Sequence, residues 1–96
     1  MISGKTRLMI ESTVRSIAKG NTKRVWTDPL HRNGKLVGRS IKYSGLMANQ
    51  KQVAAIQRKL AALHPKHTFE VSLTENVGHT AKGVNYRGLR VAVRKG

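Results

Sequence analysis

The chain has 96 residues, enough for one compact basic domain spanning 1–96 and too few for two that fold independently. Hydrophobic residues make up 39% and charged ones 24%, a balance that excludes a disordered basic tail, while 19 Lys and Arg against 4 acidic residues give a net charge of +15. The absence of cysteine excludes disulfides and thiolate metal sites.

So large an excess of one sign repels itself in a compact state, and the expected partner is therefore a polyanion. Nucleic acid fits best, because each neutralised phosphate releases counterions and adds affinity without base recognition. The basic residues run evenly from Lys5 to Lys95, so the charge belongs to the folded surface. No apolar run of about 18 residues occurs, and Met1 to Gly20 lacks the pattern of a signal peptide. A cytoplasmic setting and no membrane partner are expected.

In chain order, Ser3-Gly4-Lys5-Thr6 matches only the end of a phosphate-binding P-loop. It lacks the first glycine and the preceding strand, so no nucleotide cofactor is expected. Residues 6–18 fit either a strand or a helix. Ile10, Val14 and Ile17 have helical spacing, but Ser12, Thr13 and Ser16 compete with helical hydrogen bonds and tilt the reading toward a strand. Asn33-Gly34 is a strong hairpin signal, joining a strand from Lys23 to Thr27 with another from Leu36 to Tyr43. Asp28-Pro29 predicts a longer, looser connection than a two-residue turn.

A helix is expected from about Gln50 to His64. Asn49 serves as N-cap, Gln52 completes a capping box, Val53, Ile56, Leu60 and Leu63 form the apolar stripe, and Pro65 follows the end. Its other face presents Lys51, Ala55, Arg58 and Ala62. Beyond Pro65 the period becomes two. Phe69, Val71 and Leu73 alternate with polar residues, and after a glycine-containing connection from Asn76 to Gly83 so do Leu89, Val91 and Val93. The outward positions of the last strand are Tyr86, Gly88, Arg90, Ala92 and Arg94. Together these elements predict an α+β fold, a small antiparallel sheet of four to five strands with the 50–64 helix packed on one face.

The free sheet face would then offer Trp26 and Tyr86 for stacking among guanidinium groups, as single-stranded nucleic acid is held. The expected nucleic-acid-binding residues are Lys23, Arg24, Trp26, Arg39, Lys42, Lys51, Arg58, Lys82, Tyr86, Arg87, Arg90 and Arg94. The segment Glu75 to Gly83, with Thr80 and Lys82, is a further candidate for a local anion site. No helix-turn-helix, zinc finger or zipper can be drawn, so contacts to RNA or DNA should be dominated by the backbone.

Chemistry of its own is not expected. Glu11, Asp28, Glu70 and Glu75 form no paired motif and read as ion-pair partners. His64 and His67 make an HxxH at a helix end, but Pro65 breaks its register and no metal is expected. The alternative to direct binding is a small interaction protein or inhibitor, of the economy seen in virus- or mobile-element-encoded regulators. It would dock on an acidic protein or a ribonucleoprotein complex, with Trp26 or Tyr43 as anchors.

Overall fold

A computed structural model describes residues 4–22, 24–74 and 87–95. The elements are α1 (Gly4–Ile17), β1 (Lys19–Gly20), β2 (Val25–Arg32), β3 (Lys35–Ser44), β4 (Leu46–Met47), α2 (Gln50–Leu63), β5 (His67–Thr74) and β6 (Gly88–Lys95). The fold is α+β. Strands β2, β3, β6 and β5 form an antiparallel sheet in that order, and β1 pairs with β4 as a short separate ladder.

The segment 6–18, open between strand and helix with a tilt toward a strand, proves to be the helix Gly4–Ile17, against that tilt. The hydroxyls that argued against a helix are absorbed by its own carbonyls, Thr13 Oγ1 donating to Met9 O at 3.0 Å and Ser16 Oγ to Thr13 O at 2.7 Å. Ile10 and Val14, one turn apart, are then wholly buried. Burial of that stripe outweighs the weak intrinsic preference of the hydroxyl residues.

Helix α2 follows its sequence signals closely. The Asn49 side chain accepts from Gln52 N–H at 2.8 Å, and Gln52 Oε1 accepts from Asn49 N–H at 2.9 Å, closing the capping box. The helix ends at Leu63, with His64 as C-cap. Ile56 and Leu60 are buried, but Leu63, expected in the stripe, is 46% exposed.

The hairpin departs from the loose connection predicted. β2 runs straight through Asp28-Pro29, which pair with Ser40 and Arg39, and the turn is the two residues Asn33 (φ +52°) and Gly34 (φ +78°). Proline is tolerated because β2 is an edge strand. Ser44 N–H donates to Arg24 O, so even-numbered residues of this stretch bond toward β3 and Pro29 turns its donor-less nitrogen outward. The other edge is partly covered, since Val71 N–H donates to Gln57 Oε1 of α2 at 3.3 Å.

The core lies between one sheet face and the two helices. Ile41 and Tyr43 of β3, Leu89, Val91 and Val93 of β6, and Phe69 and Val71 of β5 meet Ile10, Val14, Ile56 and Leu60 in one cluster. β3 and β6 approach so closely that a Cβ on Gly38 would strike the Val93 carbonyl, and one on Gly88 the Tyr43 carbonyl.

Candidate nucleic acid interface

Because side chains alternate along a strand, the sheet register assigns each residue a face. Opposite the helices, four cross-strand rows run over the sheet: Ser44–Gly88–Thr74 with Arg24 beside Ser44, Trp26–Lys42–Arg90–Ser72, Asp28–Ser40–Ala92–Glu70 and Leu30–Gly38–Arg94–Thr68. Trp26, Lys42, Arg90 and Arg94 therefore share the open face. Trp26 is half-buried there.

The electrostatics of that face differ from the expectation. Lys42 Nζ lies 3.2 Å from Asp28 Oδ2, Arg94 lies 3.8 Å from Glu70, and Arg90 Nε donates to Ser40 Oγ at 2.9 Å. In the last three of these rows three cations are set against two carboxylates, so that part of the face is nearly neutral, with Arg24 a further cation at its end. These ion pairs are partly exposed and contribute little to stability, but they lower the potential a polyanion would meet.

The remaining expected residues lie elsewhere. Lys51 and Arg58 are exposed on the outer surface of α2, in the layer behind the sheet. Arg24 and Arg87 are exposed at the end of the sheet away from the β2–β3 turn, where Arg24 O accepts from Ser44 N–H and Arg87 O from Gly45 N–H. Arg39 has the parity of the core face, between Pro29 and Val93, and is half-buried. Lys23, Lys82, Tyr86 and the Glu75–Gly83 segment lie outside the described residues. The described candidates thus fall into separate groups rather than one patch.

The hairpin end was not singled out in the sequence. His31, Arg32, Asn33, Gly34, Lys35 and Leu36 are all exposed, and no acidic residue occurs between Asp28 and Glu70. Lys66, in the turn before β5, is exposed at the same end of the sheet. The available signal was a cation on either side of Asn33-Gly34. Reading residues 28–35 as a loose loop concealed it.

Three smaller features complete the surface and core. The His64 and His67 rings pack edge to face at 6.3 Å and both lie against Phe69, at 5.9 and 6.2 Å. Among the described residues no group of three or more His, Asp or Glu could hold a metal ion. Met9, Ser12, Ser16, Lys59 and Leu63 line an open groove between α1 and α2. The Tyr43 hydroxyl is buried with no hydrogen-bond partner among the described residues; burial, and secondarily the Glu11 carboxylate, holds its pKa well above the usual phenol range.

No family model, curated protein or solved structure matches the chain. Among the described residues, no helix is long and apolar enough to cross a membrane.

Proposed function

We propose that the chain is a non-catalytic nucleic-acid-binding protein whose Lys and Arg residues neutralise phosphates, with little base specificity. The observation that supports this most strongly is how the charge is partitioned. Glu11, Asp28 and Glu70 each lie beside a cation, Arg15, Lys42 and Arg94, whereas Arg24, Arg32, Lys35, Arg58 and Lys66 are exposed in segments without acids of their own. With Glu11, Asp28 and Glu70 each beside a cation, no pair arranged for acid–base chemistry is found among the described residues. A cytoplasmic setting belongs to the same proposal.

The test is affinity for duplex and single-stranded nucleic acid as a function of salt. A steep fall in affinity with salt is expected, and alanine at an exposed phosphate-contacting cation should reduce the logarithmic slope by about one. Lys42 and Arg94 should respond less than Arg24 or Arg58, because each already faces a carboxylate, Asp28 or Glu70, and adds less to the potential a phosphate meets. An unchanged slope in single alanine variants of Arg24, Arg39, Lys42, Arg58, Arg87, Arg90 and Arg94 would remove the proposal's basis.

A second reading, docking on an acidic protein, is favoured by the apolar surface near the helix groove. Leu8 is 66% exposed, Met9 39% and Leu63 46%, with Lys59 among the groove residues. Purification from the native source separates the two readings: a protein partner that survives nuclease and high salt supports docking, and nuclease-sensitive nucleic acid supports direct binding.

A further inference from the structure

We infer that the end of the β2–β3 hairpin is a ribbon that enters the major groove of double-stranded DNA, an inference that rests on the nucleic-acid reading above and names the partner and the contact. In the β3–β6 register Lys95, which still pairs with His67, stands level with Val37, the bulge residue that has no partner on β2, so Lys35 and Leu36, with their partners Arg32 and His31, extend past the described four-stranded body as a short two-stranded arm. At about 3.3 Å per residue, those two residues reach roughly 7 Å beyond it, with the turn further out. The major groove of B-form DNA is about 8.5 Å deep and about 12 Å wide and admits a two-stranded ribbon as it stands, whereas the minor groove, about 6 Å wide, must first be widened by deforming the duplex. The deep, narrow major groove of an RNA duplex is closed to side chains.

The composition of the arm fits that environment. Arg32 and Lys35 face each other directly across the ladder on either side of Asn33-Gly34. Like charges at opposite positions destabilise a hairpin, and an anion between or beside them removes the repulsion. Arg32 has the donor fork that reads guanine O6 and N7, Asn33 the amide that pairs with adenine N6 and N7, and Leu36, 45% exposed with no place in the core, a surface for a thymine methyl. A register shift between Leu30 and His31 adds twist where the arm leaves the sheet, as a ribbon following a groove requires. The open sheet face, nearly neutral, lacks this drive.

The experiment compares binding of the full chain to a DNA duplex and an RNA duplex of the same sequence, for the wild type, for Arg32→Ala with Lys35→Ala, and for Lys5→Ala with Lys19→Ala. Both double variants remove two exposed lysine or arginine charges, the control pair lying at the start of α1 and just past its end. The hairpin pair is expected to weaken DNA binding by ~tenfold or more and the control pair by only a few-fold. The wild type should favour DNA over RNA and protect guanine N7 from dimethyl sulfate. Equal losses in the two double variants, equal affinity for the RNA duplex, or DNA binding without N7 protection would each overturn the ribbon while leaving nucleic-acid binding standing. A wild type that binds no nucleic acid would overturn both.

Discussion

Replacing Tyr43 with Phe tests the buried side of the fold through an alkaline signature. Tyr43 of β3 is 1% exposed, and its hydroxyl, within electrostatic reach of Glu11, Arg7 and Arg15 of α1, has no partner among the described residues. An unpaired buried hydroxyl costs about 1–3 kcal/mol, so Tyr43→Phe should be more stable than the wild type at pH 7 by about 1 kcal/mol. In a domain of this size that raises the melting temperature by about 4–8 °C. The pH dependence then follows from the direction of the shift. Above pH ~10 the unfolded chain releases the tyrosine proton while the folded chain keeps it, so the wild type binds more protons when folded and loses stability as pH rises. The loss is about 1.4 kcal/mol per pH unit and continues upward until the raised folded pKa is passed. Every other ionisable group is common to both proteins, so the difference between them isolates Tyr43. Urea unfolding of both at pH 7, 9, 10 and 11 should show a constant gap up to about pH 9 that widens thereafter. A gap that stays flat through pH 11 would mean that the hydroxyl ionises as it does in the unfolded chain, and that the packing of α1 over β3 is wrong.

Two further substitutions probe the helix cap and the sheet register. Asn49→Ala removes the acceptor for Gln52 N–H and should cost about 1 kcal/mol by thermal unfolding, with a loss of helical ellipticity; an unchanged melting curve would show that the capping box contributes nothing. Gly38→Ala drives a methyl group into the Val93 carbonyl and must push β3 away from β6, at a cost of about 3 kcal/mol; a variant as stable as the wild type would contradict the Gly38–Arg94 register.

The elements legible in the sequence are those fixed by local chemistry. Asn49, Gln52 and Pro65 bracket α2 within a residue of its observed ends, and strict alternation from Phe69 and from Leu89 marks β5 and β6. α1 was misjudged because Ser12, Thr13 and Ser16 argue locally against a helix, and only the buried contact of Ile10 and Val14 decides otherwise. The length of β2 was hidden by Pro29, which is compatible with a strand only at a sheet edge, and strand order is a property of the whole fold. β1 and β4, two residues each, have no period to read. For the site, parity alone placed Trp26 and Arg24 on the outward side of one strand and Arg90 and Arg94 on that of another; Lys42 joins them only through the strand register. The pairing of Lys42 and Arg94 with Asp28 and Glu70 depends on register between strands remote in sequence, so the near-neutrality of the face was not legible.

The positions of the three described acids give the excess charge a direction. Glu11 lies on α1 and Asp28 and Glu70 on the open sheet face, while the long acid-free run between Asp28 and Glu70 supplies the hairpin arm, α2 and the turn at Lys66. A polyanion that settled on the sheet face would have to draw Lys42 and Arg94 away from carboxylates, leaving Asp28 and Glu70 facing phosphate and repelling it. At the hairpin no such exchange is needed. Arg32 and Lys35 already oppose each other in the free protein, so an approaching phosphate or base edge relieves repulsion as it gains contacts. The same +15 therefore favours approach by the end of the sheet over its face, and binding there should depend more on two hairpin residues than on the larger set of cations spread over the strands.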